Sequence, residues 1–495
     1  MKRHSGVLLH ISSLPSPYGI GTFGEQAYRF VDFLKKAKQR YWQILPMGPT
    51  SYGDSPYQSF STFAGNAYFI DLDLLSDEGL LLKEEYESIS WGESETAVDY
   101  ATLYQNRYVV LNKAYSRFLK NTPADFEPFC SKEAAWLDDY ALFMALKAAP
   151  GGRSWHEWSE PLRLRVPSAL GEARRQYASG IGLWKFIQYE FFTQWNKLKE
   201  YANKNGVYFI GDLPIYVADD SSDVWANPNL FSLNKDGVPK RVAGCPPDFF
   251  SSDGQLWGNP VYDWKENKRT GYDWWIRRLA ACFSMYDILR IDHFRGFAGF
   301  YSIPYGAKNA KRGRWEKGPG IDLFNAAKKK LRDFPVIAEN LGFLTPDVFE
   351  LLDECGFPGM NILEFAFGAK DKENDHLPHN IKRNCVVYAG THDNMTIKEW
   401  IEDIPKADRA KCLAYMGQTN TDDFVYKFIK LVLSTVADLA VITFQDYLEL
   451  GKGSRMNVPS TLSGNWQWRC KREDINDPLA AQIAKICKLY DRKFK

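Results

Sequence analysis

The sequence of 495 residues predicts an α/β protein built on a closed (β/α)8 barrel, the TIM-barrel architecture. Eight short apolar runs, rich in β-branched residues and bounded by turn residues, recur along it. Segments with helical periodicity separate most of these runs, which indicates buried parallel strands joined by helices. Acidic residues directly follow several of the runs, as expected where the strands of such a barrel end at a functional face.

The eight candidate strands share an apolar centre and a polar or glycine-rich boundary. They are Val7–Ile11, Tyr41–Leu45, Val207–Gly211, Ile288–Ile291, Val336–Ala338, Asn361–Phe365, Val386–Ala389 and Ala440–Phe444. Helical periodicity is clearest in four of the connecting segments, which are Phe23–Lys38, Asp273–Phe283, Asp322–Arg332 and Thr345–Glu354.

Two intervals between candidate strands are too long for a simple crossover. Residues 77–200 are mostly helical in pattern, and residues 213–287 are rich in Pro, Gly, Asn and Trp. Both follow the carboxyl end of a strand, where insertions lie over the functional face of a barrel. We therefore expect one catalytic barrel over residues 1–495, with a helical insertion and a loop-rich insertion that lines a substrate groove. A separate domain at 77–200 is the alternative.

The composition excludes several classes of protein. With 62 basic and 61 acidic residues, the chain has no general attraction to nucleic acid or to a membrane surface. No run approaches the roughly 18 apolar residues of a membrane span, and the apolar part of the N-terminus is too short for a signal peptide. The eight cysteines are scattered and form no C-x-x-C pair, so we expect reduced thiols in a cytoplasmic protein.

A metal site is not expected. His376 and His379 are three residues apart, but Pro378 interrupts the helical geometry that would bring them together. No cysteine lies close by in the sequence to complete a set of ligands. We predict an enzyme without metal or organic cofactor.

Four acidic residues follow candidate strands, namely Asp212, Asp292, Glu339 and Asp393. In a barrel the carboxyl ends of the strands converge on one face, whatever their separation in sequence. Carboxylates that are buried close together push one another's pKa values apart, which suits a nucleophile paired with a general acid. A single acidic residue at a strand end is often only a helix cap, but four of them favour a catalytic site.

The neighbours of these carboxylates support the same interpretation. Arg290 precedes Asp292 by two residues, so both lie on one face of the strand and the cation favours the ionised form of Asp292. Glu339 follows a wholly apolar run and is expected to have a raised pKa, as a general acid needs. Paired carboxylates of this kind cleave glycosidic bonds with retention, and the aromatic loops 52–68 and 249–264 suit the flat face of a sugar ring.

The sequence around the strand ends resembles a known family. The segments ILRIDHFRG, VIAENLG and AGTHDN resemble the α-amylase-type signature. Together with further segments, they are similar to the 4-α-glucanotransferases (amylomaltases or disproportionating enzymes) of glycoside hydrolase family 77. The further segments are SGVLLHISSLPSPYGIG, SPYQSFSTFAGN, GDLPIYVADDSSDVW, CPPDFFSSDGQLWGNPVYDW and GNWQWR. One small departure is His10-Ile11-Ser12-Ser13, where relatives often have HPTS.

This resemblance implies an α-amylase-type barrel and a role for each matching residue. Asp292 matches the nucleophile, Glu339 the general acid/base, and Asp393 the third carboxylate, which stabilises the transition state. The positions that match substrate-binding residues are Tyr57, Asp212, Asp248, Gln255, Trp257, Arg290, His293, His392 and Asn465.

The implied reaction is the transfer of a segment of an α-1,4-glucan to the 4-hydroxyl of glucose or another glucan. The partners are then maltooligosaccharides, α-1,4-glucans and glucose. A retaining α-1,4-glucan hydrolase is the nearest alternative. A glucan-binding protein without activity would lack the nucleophile or the acid, and both residues are present.

Overall fold

A computed structural model describes residues 3–51, 53–148, 152–247, 252–368, 374–461 and 463–492. The strands in these ranges are β1 His4–Leu8, β2 Tyr41–Gln43, β3 Tyr208–Leu213, β4 Arg241–Cys245, β5 Gln255–Pro260, β6 Ile288–Ile291, β7 Gly299–Pro304, β8 Arg314–Lys317, β9 Val336–Ala338, β10 Gly359–Ile362, β11 Cys385–Tyr388 and β12 Leu439–Thr443.

The helices in the same ranges are α1 Glu25–Lys36, α2 Leu72–Asp77, α3 Tyr100–Phe118, α4 Phe126–Lys147, α5 Glu160–Arg163, α6 Pro167–Gln176, α7 Ala178–Lys204, α8 Ser222–Ala226, α9 Trp264–Arg269, α10 Asp273–Met285, α11 Ile321–Lys330, α12 Pro346–Cys355, α13 Ile397–Asp403, α14 Lys406–Tyr415, α15 Phe424–Ser434, α16 Phe444–Tyr447 and α17 Asp477–Leu489. None of them is both long and apolar enough to cross a bilayer.

Eight strands form a parallel sheet in the order β10-β11-β12-β1-β2-β3-β6-β9. The backbone N–H of Ala338 in β9 donates to the carbonyl of Pro358, just before β10, at 2.9 Å and closes the barrel. Each of the eight candidate strands overlaps one of these barrel strands, so the predicted (β/α)8 fold is confirmed.

Six of the eight barrel strands have bounds that differ by a few residues from the predicted ones, whereas β6 and β9 match at both ends. β1 begins at His4 rather than Val7, because the backbone of residues 4–6 pairs with β12 although the segment His4-Ser5-Gly6 has no apolar side chain. β10 begins at Gly359 and ends at Ile362, because Gly359 and Met360 pair with β11 directly after a segment that reads as a turn.

The interior of the barrel is filled by side chains from alternate strand positions, as the two-residue period of a strand requires. This cluster consists of Leu8, Ile210, Ile337, Met360, Ile362, Val386, Tyr388, Leu439 and Val441. The Tyr388 hydroxyl donates to Oε1 of Gln43 at 2.8 Å, so the polar tip of this buried ring has a partner. The barrel is therefore a packed core, and ligands are confined to its rim.

Several outer helices start at polar side chains that cap free backbone N–H groups. Asp71 accepts from the N–H of Leu74 at the start of α2, and Thr396 accepts from the N–H of Glu399 at the start of α13. The apolar positions Ala27, Phe30, Val31 and Leu34 recur at helical spacing in α1 and are all buried.

The described residues between β2 and β3 form six α-helices, α2 to α7, and α4 packs along α7. α7 ends at Lys204, four residues before β3 begins, and packs against that strand. The interval between β3 and β6 contains β4 and β5 as well as loops and helices. These two strands join β7 and β8 in an antiparallel sheet of order β5-β4-β7-β8 beside the barrel.

Candidate active site

The carboxyl ends of neighbouring barrel strands carry the predicted acidic residues. Asp212 lies within β3, Asp292 directly follows β6, and Glu339 directly follows β9. The N–H of Asp292 donates to the carbonyl of Leu213, and the N–H of Glu339 donates to that of Ile291, each at 3.0 Å. These two bonds extend the sheet by one residue and hold the three acidic residues at the same rim.

Arg290 connects two of these carboxylates. Its Nη1 lies 2.6 Å from Oδ2 of Asp212, and its Nη2 lies 3.1 Å from Oδ1 of Asp292. The hydroxyl of Tyr57 donates to the same oxygen of Asp212 at 2.9 Å. The side chain of Asp212 is fully buried, whereas that of Asp292 is 28% exposed. Asp212 therefore serves as a buried counter-ion, and Asp292 is the carboxylate that a ligand can reach.

The carboxylate of Glu339 is held by backbone N–H groups. Oε2 accepts from the N–H of His293 at 2.6 Å, and Oε1 accepts from the N–H of Leu341 at 3.1 Å. His293 has left-handed backbone angles, φ 49° and ψ 48°, a conformation that non-glycine residues adopt rarely. The turn directly after Asp292 thus directs an N–H at Glu339 and fixes one carboxyl relative to the other.

The carboxyl groups of Glu339 and Asp292 differ in pKa. Burial raises the pKa of Glu339 to about 7, and the nearby charge of Asp292 adds to the increase. Burial raises the pKa of Asp292 to about 6, against the opposing effect of Arg290. Arg290 therefore acts in the predicted direction, but desolvation exceeds its effect. Since Glu339 has the higher pKa, it is the member of the pair that keeps its proton as the other ionises.

The fourth carboxylate, Asp393, lies in the loop after β11 and is 44% exposed. Its Oδ2 lies 3.4 Å from Nε2 of His392, and its Oδ1 accepts from Nδ2 of Asn457 at 2.7 Å. Nη2 of Arg455 donates to its backbone carbonyl at 2.6 Å. Asp393 is thus held on the protein side while part of its carboxylate remains open to solvent.

A stack of rings adjoins Asp393. The ring of Tyr57 stacks on that of His392 with centroids 5.2 Å apart and planes 14° apart. The ring of Trp466 lies 5.8 Å from the first and 5.9 Å from the second. Burial lowers the pKa of His392, which favours the neutral imidazole, able to donate a hydrogen bond from one nitrogen.

Trp257 lies beside the turn that follows Asp292. Its ring meets the ring of His293 edge-on, with centroids 4.8 Å apart and planes 90° apart. Its Nε1 donates to Oε1 of Gln255 at 3.0 Å, so Gln255 orients the indole. Burial lowers the pKa of His293 to about 3, and this imidazole is therefore neutral. The predicted Asp248 lies outside the described residues.

Asn465 has a different environment from the other predicted residues. Its Oδ1 accepts from the N–H of Val458, and its Nδ2 donates to both the carbonyl and the hydroxyl of Thr461. These contacts all lie within the turn that follows Asn457. Asn465 thus shapes the segment that carries Asn457 and Trp466.

Sequence reasoning missed three residues of the site, namely Arg455, Asn457 and Trp466. None of them follows a strand, so the strand-end pattern does not mark them. Trp466 lies in the GNWQWR segment, beside the predicted Asn465, and this segment is the available signal. The N–H of Asn457 donates to the carbonyl of His392 at 3.1 Å, which helps to hold Asn457 beside Asp393.

No group of three or more His, Cys, Asp or Glu side chains suited to a metal ion occurs in the part of the chain that the structure describes. His376 and His379 contact different groups. Nδ1 of His376 accepts from the N–H of Ile362, and Nδ1 of His379 lies 2.9 Å from the Tyr415 hydroxyl.

The fold and this set of side chains define a (β/α)8-barrel enzyme with neighbouring carboxyl groups at its rim. Comparison with known proteins narrows the class. A family profile described as 4-alpha-glucanotransferase matches residues 9–475. The 4-alpha-glucanotransferase of Clostridium butyricum is 49% identical over 486 residues, which cover 98% of this chain and all of that protein. The enzyme of the same name from Thermus thermophilus is 44% identical, with 99% of each chain covered.

Solved structures agree with the sequence comparisons. An amylomaltase from Streptococcus agalactiae, solved in complex with acarbose, is 44% identical, with a TM-score of 0.97 and full coverage of both chains. An amylomaltase from Corynebacterium glutamicum shares the fold at 17% identity, with a TM-score of 0.77 over 98% of this chain and 75% of that one. The chain belongs to the 4-alpha-glucanotransferase family, and its activity is that of an amylomaltase, a transglycosylase.

Proposed function

We propose that this enzyme transfers a segment of an α-1,4-glucan to the 4-hydroxyl of glucose or another glucan, by a double displacement through Asp292. One observation carries the assignment of roles. Glu339, with a pKa near 7, is bound to the backbone N–H of the residue that follows Asp292, whose pKa is near 6. An acid and a nucleophile are thus held in one rigid unit.

In the first step, Glu339 donates its proton to the glycosidic oxygen while a carboxylate oxygen of Asp292 attacks the anomeric carbon. The bond between that carbon and the glycosidic oxygen breaks, and the leaving glucan departs with a free 4-hydroxyl. The donor segment remains as a glycosyl ester of Asp292, and Glu339 is left ionised.

In the second step, ionised Glu339 removes the proton from the 4-hydroxyl of an acceptor. The acceptor oxygen attacks the anomeric carbon, and the ester bond to Asp292 breaks. Two inversions at one carbon give net retention. Asp393 binds hydroxyls of the reacting sugar and stabilises the positive charge that develops on its ring.

The remaining predicted residues position the sugar. Arg290 and Asp212 set the charge of the nucleophile, and Tyr57 and His392 form one wall beside the reacting ring. Gln255, Trp257 and His293 form the other wall. Asn465 supports the loop behind Asp393, and we keep Asp248 as a groove residue from the family resemblance alone.

The outcome depends on whether an acceptor or water reaches the glycosyl ester first. Aromatic walls that hold an acceptor sugar and displace water favour transfer. The ring contacts that fix Tyr57, Trp257 and Trp466 at the rim support this role for them. A retaining α-1,4-glucan hydrolase would use the same carboxylates with water as the acceptor, and is the second candidate.

We further infer that residues 1–495 act as one catalytic unit. The loop-rich insertion 213–287 contributes Trp257 to the groove, and the helical insertion 77–200 joins β3 through α7. The substrates place the enzyme in maltodextrin, glycogen or starch metabolism, without a cofactor. Its eight cysteines, scattered along the sequence without a C-x-x-C pair, suit the reducing cytoplasm.

The replacement Asp292→Asn tests these roles, because it keeps the shape of the side chain and removes its nucleophilicity. We expect kcat for glucan transfer to fall at least about a thousandfold, with the fold intact by circular dichroism. Asp322→Asn, on the exposed surface of α11, is the matched control and should keep full activity. Near-normal transfer by the Asp292 variant would contradict the assignment.

A further inference from the structure

Two exposed aromatic rings lie beside each other on the surface near the catalytic rim. Trp315 of β8 is 39% exposed, and Phe343, in the loop after β9, is 63% exposed. Their centroids are 6.2 Å apart and their planes differ by 23°. We call this pair the aromatic platform. Single exposed apolar residues are common, whereas two large rings arranged as one surface call for an explanation.

The platform is fixed by a buried cation. The guanidinium carbon of Arg295 lies 3.7 Å from the centroid of the Trp315 ring, a close cation–π contact. Nη1 of Arg295 donates to the backbone carbonyl of Phe343 at 2.6 Å, so one side chain holds both halves of the pair. Tyr301 packs edge-on against Trp315 at 5.2 Å. The rings are therefore preorganised, which lowers the entropy lost when a ligand binds.

The platform lies close to the reacting groups. Phe343 is four residues after Glu339, and Arg295 is three residues after Asp292. At no more than about 3.6 Å per residue, the Cα atoms of Phe343 and Glu339 are within about 14 Å of each other. Under the proposed roles, Glu339 acts on the oxygen shared with the leaving or incoming glucan. The platform therefore adjoins the side of the cleft that holds the acceptor.

We propose that the aromatic platform is a binding site for the distal glucose units of an α-1,4-glucan acceptor. The apolar C–H face of a glucose ring packs on an aromatic face, while its hydroxyls remain in water. A protein partner is disfavoured, because two rings supply far less than the roughly 800 Å² per side of a stable interface. The inference rests on the proposed function and adds to it a preference for longer acceptors.

Acceptor kinetics of Trp315→Ala and Phe343→Ala test the proposal. Amylose at a fixed concentration is the donor, and either glucose or maltohexaose is the varied acceptor. Glucose is a single unit and has no distal units to bind the platform, so its KM should stay within about twofold of the wild-type value. The KM for maltohexaose should rise about five- to tenfold, with kcat little changed. This rise corresponds to a loss of about 1 to 1.4 kcal/mol of binding free energy. Trp315→Phe keeps an aromatic face and should restore part of the loss.

The control is Val436→Ala, which shortens an exposed apolar side chain at the opposite end of the barrel, before β12. Its kinetics should match the wild type. If Trp315→Ala fails to fold, Phe343→Ala alone tests the proposal, because the Phe343 side chain is more exposed than that of Trp315. An unchanged KM for maltohexaose, or an equal rise in KM for both acceptors, would overturn the proposal that the aromatic platform binds the acceptor. Absence of transfer by the wild-type enzyme would overturn the proposed function as well.

Discussion

The substitution Arg290→Lys is the sharpest test of how Asp292, the proposed nucleophile, is kept ionised. Arg290 is 3% exposed and uses two different nitrogens to reach Asp212 and Asp292. A lysine ammonium is a single point and cannot span both carboxylates in this geometry. We expect it to stay with the fully buried Asp212, so Asp292 loses its partner.

The size of the effect follows from the lost contact. A hydrogen bond to a charged group contributes about 1.5–3 kcal/mol, and each pKa unit corresponds to about 1.4 kcal/mol. The pKa of Asp292, already raised to about 6 by burial, should therefore rise further by about one to two units. At neutral pH much of the nucleophile would then be protonated.

The assay is the pH dependence of kcat/KM for disproportionation of maltotriose. Under the proposed mechanism, activity requires Asp292 ionised and Glu339 protonated. We therefore expect a bell-shaped wild-type profile with apparent pKa values near 6 and 7 that belong to the coupled pair. In the Lys variant the acidic limb should move to higher pH by at least about one pH unit, and the activity at pH 6 to 7 should fall about tenfold.

Arg277→Lys, in an exposed ion pair with Asp273 on α10, serves as the control and should leave the profile unchanged. An unaltered acidic limb in Arg290→Lys, whatever its activity, would refute the argument that Arg290 sets the ionisation of Asp292.

Three other substitutions test separate parts of the account. Tyr57→Ala removes the ring stacked on His392, and the KM for donor glucan should rise severalfold by steady-state kinetics; a large fall in Tm instead would identify a structural role. Asn457→Ala removes the side-chain donor to Asp393, so kcat should fall about tenfold with little change in KM. An effect confined to KM would count against the idea that Asn457 positions Asp393. Glu190 is buried with its pKa raised to about 8, so its stabilising contribution is complete below its ordinary pKa and is lost as pH rises through 8. In the wild type this group should lower the free energy of unfolding by about 1.4 kcal/mol per pH unit between pH 5 and 8, and Glu190→Gln should remove that decline. An unchanged dependence of the unfolding free energy on pH, measured by urea titrations, would contradict this.

The barrel could be predicted from the sequence because each of its strands is buried on both faces. Runs such as Val386–Tyr388 are therefore almost continuously apolar and stand out from the helical segments around them. The acidic residues at the ends of these runs could be predicted for the same reason. An acidic residue directly after an apolar run can be recognised in the sequence without knowing which strands are neighbours in the sheet.

The antiparallel sheet of β4, β5, β7 and β8 could not be predicted in this way. β8, with the sequence RWEK, is largely exposed and has no apolar alternation, and β5 contains Gly258 and ends at Pro260. The two local pairs, β4 with β5 and β7 with β8, form one sheet only through the pairing of β4 with β7, which are more than 50 residues apart in the chain. The start of β1 at His4 was missed because backbone pairing with β12, rather than side-chain burial, sets it.

The residues that support Asp393 could not be predicted because they act across long sequence separations. Asn457 and Arg455 are 64 and 62 residues from their partner and follow no strand. Only the path of the loop after α16, which Asn465 helps to fold, brings them to the rim. The net pKa of Asp292 likewise depends on burial in the folded cleft, which outweighs the neighbouring cation visible in the sequence.

The most direct test of the account is incubation of the purified protein with maltotriose alone, with the products separated by chromatography over time. The proposed mechanism predicts a series of longer maltosaccharides together with glucose, because the glycosyl ester on Asp292 is captured by another sugar. The formation of glucose and maltose alone would mean that water captures the ester, and would contradict the assignment of transfer.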